Sequence, residues 1–326
     1  MGFKRELNTL LKLIIKNYKM SILTLGGTNL LLSANSAFVL KDFRICQNPY
    51  IFNSKDKIIK NFDVLFNFDN RDTRVDLLCE INHIPIIGSE RFPKDIQYNI
   101  LRKFGLNTPN FYTYFLNAGF DEQGRHDYLF ALLSEVSDST ELILKDKDGA
   151  RGLGQILLSS KDDLYNLLNE RTDIEKIKNY KIGGSENEGD FKYTHIKSVL
   201  DSGKFFINEK VVISEEYRVL AFYNQTPIII KRTVGKDWQS NISVTGEFET
   251  VSDLKVFPDD LLESINNFLK YLRTPFLSMD LYKDVSGKFG FFEFQMQYGY
   301  KAPNKYEIVN KSNLAVKALL KDIYGI

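Results

Sequence analysis

The sequence predicts a chain of mixed class, α/β giving way to α+β: a small parallel α/β lobe over residues 20–93, then a larger α+β region over 94–326. Three observations lead there. Short apolar runs alternate with helical ones between positions 20 and 88, as in βαβ units. Three more apolar runs follow at close spacing over residues 205–234, which suits an antiparallel meander. Residues 141–158, ELILKDKDGARGLGQILL, read as strand, glycine-rich hairpin and strand.

In chain order, residues 4–19 have a helical period, with Leu7, Leu10, Leu11, Ile14 and Ile15 on one stripe and Lys4, Arg5, Lys12, Lys16 and Lys19 around it. The expected role is a leading helix docked on its own protein. A basic amphipathic face could also meet a membrane surface or a second copy in a homo-oligomer. In the parallel lobe SILTLGG and NFDVLFNF are strands, and VDLLCEINHIPIIG is a short helix turning into a third. Gly26 and Gly27 read as a connection at the edge of a ligand cleft, since no third glycine opens a helix in dinucleotide register.

From position 94, Ile96, Ile100 and Leu101 have helical spacing, Gly105 stops the helix, and Pro109 precedes a strand rich in Tyr and Phe. Lys94 falls in the first turn of that helix, where positive charge is mildly unfavourable, which hints at another task. Lys145 leaves its strand where the hairpin begins, and Gly149, Gly152 and Gly154 let the backbone bring N–H groups close to an anion. That is a phosphate cradle. It is neither a P-loop, in which the lysine follows the glycines, nor a dinucleotide turn, in which the glycines open a helix. After it, SKDDLYNLLNER is helical and IKNYKIGGSENEGDFKY is an exposed loop.

The meander consists of FFINEKVV, YRVLAFYNQ and TPIIIKRTV, with Glu209, Glu216, Arg218, Lys231 and Arg232 at its strand ends and Asn224 and Gln225 at a tight turn. A helix, DDLLESINNFLKYL, leads into FLSMDLYKD, a turn at Gly287, and KFGFFEFQMQYGY. In this hairpin Asp280 lies on one strand, with Glu293 and Gln295 on one face of the other. Their neighbours are apolar, so the carboxylates are buried charges that need a cation. Two carboxylates and an amide oxygen make the hard donor set that Mg²⁺ uses with substrate phosphates.

Composition excludes other classes. With 43 basic and 42 acidic residues there is no global field to suggest nucleic acid. Cys46 and Cys79, and His83, His126 and His195, are too scattered for a zinc site or a nucleophilic triad, and two distant cysteines suit a reducing cytoplasm. No apolar run reaches the length of a membrane span.

The ordered set Lys94, Lys145 with its glycine hairpin, Glu209, Glu216 with Arg218, Arg232, Asn241, Asp280 and Glu293 resembles the ATP-grasp superfamily, nearest to its carboxylate-amine ligases of the ribosomal-protein glutamate ligase type. The likeness covers roughly residues 94–300, and the preceding lobe is similar to the domain that comes before ATP-grasp in that family. It implies an ATP-grasp fold, two α+β lobes clasping ATP, with a lid over about 128–210. It further implies ATP and Mg²⁺, or Mn²⁺ in its place. Lys94 and Lys145 would contact the phosphates under a flap of Gly149, Gly152 and Gly154. Glu209 would accept from the adenine amino group, Val211 would offer main-chain contacts, and Glu216, beside Arg218, would bind the ribose. Asp280 and Glu293, with Gln295, would hold the metal, and Arg232 would face the transferred phosphoryl group.

In such enzymes a carboxylate attacks the γ-phosphate and an amine displaces the acyl phosphate. The implied partners are therefore a small-molecule or peptide carboxylate and an amine, with Asn241 and Lys301 on the acceptor side. Two departures stand out: Gln295 where the family usually has Asn, and MQYGY where it often continues with Pro and Gly. A nucleotide-binding protein without turnover, or a small-molecule kinase, would share every ATP contact.

Overall fold

The computed structural model describes residues 20–25, 43–47, 64–67, 86–87, 92–114, 121–134, 136–149, 153–170, 173–183, 189–232, 248–295 and 305–325. The leading helix expected over residues 4–19 lies outside them. Four strands come first: β1 (Met20–Leu25), β2 (Phe43–Gln47), β3 (Val64–Asn67) and β4 (Ile86–Ile87). They pair in parallel in the order β2-β1-β3-β4.

Two antiparallel five-stranded sheets make up the rest. The first has the order β5-β9-β6-β7-β8, from β5 (Phe111–Thr113), β6 (Leu142–Asp146), β7 (Gln155–Leu158), β8 (Lys181–Ile182) and β9 (Phe205–Glu209). The second has the order β12-β11-β10-β13-β14, from β10 (Ile213–Phe222), β11 (Gln225–Arg232), β12 (Phe248–Val251), β13 (Phe276–Asp284) and β14 (Phe289–Gln295). The meander expected over 205–234 is therefore shorter. β9 pairs with β5 and β6, and residues 210–212 carry the chain to the other sheet. Alternation of Phe205 and Ile207 announces a strand but not the edge it joins.

Each sheet has its own core. Behind the first, Leu142, Leu144, Ile156, Leu158, Phe205 and Ile207 pack with helices α2 (Glu122–Leu132), α3 (Lys161–Glu170), α4 (Ile174–Ile177) and α5 (Phe191–Ser202). Behind the second, Val219, Met279, Leu281 and Phe291 pack with α6 (Asp259–Tyr271) and α7 (Lys305–Tyr324). Ile265, Phe268 and Leu269 of α6 are buried, and each such side chain stabilises the fold by ~1.5–3 kcal/mol.

Helix α1 (Lys94–Lys103) joins the two halves. Gln97 Oε1 accepts the Phe294 N–H of β14 at 3.0 Å, and the Lys94 N–H donates to the Lys147 carbonyl beyond β6 at 3.0 Å. Asp95 pairs with the Lys147 ammonium at 2.9 Å. Gly105 ends this turn at φ +73, as the sequence reading expects. Among the described residues no helix is long and apolar enough to cross a membrane.

Candidate active site

Strand alternation turns one face of each antiparallel sheet toward the other. On the first sheet the inner face carries Ile143 and Lys145, opposite Asn208 and Phe206 of β9. On the second it carries Glu216 and Arg218 of β10, Arg232 of β11, Asp280 and Tyr282 of β13 and Glu293 of β14, in direct cross-strand register. Lys145 crosses the gap: its Nζ lies 5.1 Å from the centre of the Phe292 ring.

The floor is a chain of opposite charges. Arg218 grips Asp280 with two bonds, Nε to Oδ1 at 2.9 Å and Nη2 to Oδ2 at 3.0 Å. Arg232 spans two acids, giving Nη2 to Asp280 Oδ1 at 2.8 Å and Nη1 to Glu216 Oε1 at 2.6 Å. Burial would raise the Asp280 carboxyl, but Arg232 and Arg218 together hold it below the usual range. Glu216 moves the other way: burial pushes it up to about 7, with Asp280 adding to the rise and Arg232 opposing it. Arg232 and Glu216 are nearly sealed from solvent, yet Arg232 Nε and Glu216 Oε2 have no hydrogen-bond partner. Buried donors and acceptors are normally satisfied, so these two atoms are open to a hydrogen bond from or to a bound molecule.

Two lysines complete the cluster. Lys94 Nζ pairs with Glu293 Oε2 at 3.1 Å, and Gln295 Nε2 donates to Glu293 Oε1 at 2.7 Å. Lys145 is 7% exposed, and burial, reinforced by Lys94, lowers its ammonium to about 7. Four cations therefore face three carboxylates, an excess that suits an anionic ligand.

The flap base is fastened behind Lys145. The Asp146 N–H donates to the Gly154 carbonyl at 2.8 Å, and its carboxylate takes the Asp148 N–H at 2.9 Å and His195 Nε2 at 3.0 Å. Gly154 sits at φ +75, and a Cβ there would lie 2.6 Å from the Asp146 Cβ. Only glycine fits both conditions.

A β-bulge aims the aromatic floor. Asp280 pairs with Glu293 and Leu281 with Phe291, so Phe292 is an extra residue on β14. The bulge turns Phe292 to the same side as Tyr282, with ring centres 4.5 Å apart. The Tyr282 ring lies across Gly290, where a Cβ would collide with it.

Lys94, Lys145, Glu216, Arg218, Arg232, Asp280, Glu293 and Gln295 thus come together. Glu209 does not join them with its side chain. It lies opposite Leu142, on the far face of β9, and its carboxylate takes Asn110 Nδ2 at 3.0 Å and Tyr112 Oη at 2.7 Å. One step along a strand reverses the face, so it is the Glu209 side chain that points away from the cleft. Val211 lies in the connection between β9 and β10, and Gly149 at the flap base. Gly152, Asn241 and Lys301 lie outside the described residues. Phe292, Tyr282 and Gln97 were missed, because a bulge and a choice of face leave no motif in sequence.

Asp280 and Glu293 stand opposite each other as hard-oxygen donors, their oxygens held by Arg218 and Arg232 and by Lys94 and Gln295, and they would hold a Mg²⁺ ion by giving up part of these pairings. They do not form a free-standing metal cage. Among the described residues no group of three or more His, Cys, Asp or Glu could hold a metal.

No family model matches the chain, and no curated protein matches it. Solved structures do. N5-carboxyaminoimidazole synthase from Aspergillus clavatus, in complex with ADP and its aminoimidazole ribonucleotide, has a TM-score of 0.57 at 9% identity, over 91% of this chain and 76% of that one. The N5-carboxyaminoimidazole synthetase from Staphylococcus aureus complexed with ADP gives 0.56 at 13% identity, over 92% and 78%. D-alanine–D-alanine ligase from Bacillus anthracis complexed with ATP gives 0.51 at 17% identity, over 93% and 99%. The fold that this chain shares with these structures is the ATP-grasp fold.

Proposed function

We propose that the protein is an ATP-dependent ligase that activates a carboxylate as an acyl phosphate and joins it to an amine. The observation that carries this reading is the convergence, from two facing sheets, of Lys94, Lys145, Arg218 and Arg232 with Asp280 and Glu293. The similar solved structures are ligases and synthetases, several of them holding ATP or ADP, which supports it.

Phosphoryl transfer asks for positioning and charge neutralisation rather than a protein nucleophile. Lys145 and Lys94 bind the phosphates from above and beside, and a phosphate that meets Lys145 keeps its ammonium charged. The flap, fastened through Asp146, excludes water while the acyl phosphate exists. Glu216 accepts from a ribose hydroxyl with its unpartnered Oε2, next to Arg218. Arg232 offers its unpartnered Nε–H to the phosphoryl group or to the carboxylate it activates, and it stabilises the tetrahedral oxyanion that follows. Asp280 and Glu293, with Gln295 beside them, would hold Mg²⁺, which supplies Lewis-acid polarisation of the phosphate oxygens. The lid over about 128–210, the preceding parallel lobe and the acceptor contacts at Asn241 and Lys301 belong to the same proposal.

The test is ADP release from ATP and Mg²⁺ with pooled amino acids, peptides and small carboxylates, hydroxylamine being present to trap the acyl phosphate. ADP with a hydroxamate is the expected result. ADP without one means that the phosphoryl group goes to another acceptor, as in a kinase, and the ligase reading fails.

A further inference from the structure

Leu142, Leu144 and Asp146 form one row of β6, on the face away from Lys145, and the two leucines lie in the core behind the first sheet. The row therefore ends in a carboxylate, 6% exposed, where another leucine would avoid the cost of burying a charge. Asp146 bonds through all four of its polar atoms. Its N–H donates to the Gly154 carbonyl at 2.8 Å, its carbonyl accepts from the Gly149 N–H at 3.4 Å, Oδ1 accepts from the Asp148 N–H at 2.9 Å, and Oδ2 meets His195 Nε2 at 3.0 Å. The first three bonds stay within the glycine hairpin, whereas the fourth comes from helix α5. Carboxylate oxygens accept, so Nε2 is the protonated nitrogen and the donor. The imidazole also backs the second stem of the hairpin: a Cβ on Gly154 would come 3.1 Å from Nε2. Phe191, one turn earlier on α5, stacks on the ring with centres 6.1 Å apart. Lys147 extends the tie to Lys94, because its carbonyl accepts the Lys94 N–H at 3.0 Å and its ammonium pairs with Asp95 of α1 at 2.9 Å.

We propose that His195 is a positioning residue for the phosphate cradle: from α5 it fixes the Asp146 carboxylate, and through it both stems of the hairpin and the adjoining Lys145. It touches no ligand itself, since Asp146 faces away from the cleft. This rests on the nucleotide reading of the cleft and goes beyond it by naming a residue outside the cleft on which phosphate affinity depends. Without His195 a buried carboxylate oxygen loses its donor, and Asp146 relaxes together with the stems that it ties. The loss falls on the phosphates, the part of the ligand that Lys145 and the hairpin meet.

The experiment is calorimetric titration of ATP, with adenosine read by displacement of ATP, into the wild-type protein, His195→Ala, His195→Met and His195→Gln. Alanine and methionine remove the donor, methionine keeping much of the ring's volume in case alanine does not fold, and Gln Nε2 can donate from nearly the same point. In the first two variants ATP is expected to bind about 10-fold more weakly, the effect of one hydrogen bond to a charged group, while adenosine stays within about twofold of wild type. In His195→Gln the ATP affinity returns to within about threefold of wild type. Unchanged ATP affinity in a folded variant without the donor makes His195 merely structural and overturns the proposal. So does an equal loss for ATP and adenosine, or a loss in His195→Gln as large as in His195→Met. A wild type that does not bind ATP removes the nucleotide reading itself, and this inference with it.

Discussion

Replacing Lys145 by methionine should stabilise the empty protein while abolishing nucleotide binding. The ammonium is 7% exposed and lies near Lys94, and burial brings it from an ordinary 10.5 to about 7. That gap, at ~1.4 kcal/mol per pH unit, caps the destabilisation at ~5 kcal/mol. Relaxation and water penetration reduce the expected gain to ~1–3 kcal/mol, and methionine fills a similar volume. The sign follows from linkage. The folded state releases its proton near pH 7 and the unfolded chain near 10.5, so the penalty is full below about pH 7 and fades as the pH rises toward 10.5. Urea unfolding of wild type and Lys145→Met at pH 6 and pH 10 reads both magnitude and direction. The variant should be the more stable at pH 6 and nearly equal at pH 10. A variant less stable at pH 6, or a difference that ignores pH, would refute the claim that this lysine is held there for a ligand.

Three other outcomes follow from the same geometry. Asp280→Asn leaves Arg218 and Arg232 without their shared carboxylate and should lose ~3–5 kcal/mol in chemical unfolding, together with all ADP release. Glu216, raised to about 7, lends stability that is full below pH 4.5 and is lost as the pH rises through 7. Glu216→Gln should therefore flatten the wild-type decline in melting temperature between pH 4.5 and 7, and an equal slope in both proteins would count against a raised Glu216. Gly154→Ala forces a side chain into φ +75 against the Asp146 Cβ, and a loss of ~2 kcal/mol or more with weakened ATP binding is expected by thermal melt and calorimetry.

What the sequence reveals and what it hides divide along physical lines. Hairpins are local, so the strands around the Lys145 flap and the opposition of Asp280 and Glu293 can be read from apolar alternation and turn glycines. Long-range pairing is not local. Nothing in FFINEKVV says that β9 joins β5 and β6 rather than β10, and the face reversal that moves Glu209 out of the cleft follows from that pairing. Helices α5 and α7 were missed for different reasons. The first begins inside a glycine-rich charged run that reads as loop, and the second follows a stretch read for its acceptor loop. The arginine clamp on Asp280 was also invisible, since it needs the register of three strands at once.

The most direct measurement of the central claim is oxygen transfer. A carboxylate substrate drawn from whichever pool supports ADP release is labelled with ¹⁸O, and the inorganic phosphate formed on amine ligation is examined by mass spectrometry. Acyl-phosphate chemistry in this cleft predicts one carboxylate oxygen in the phosphate for each bond made. Phosphate that carries no label while the amide product forms would contradict the account.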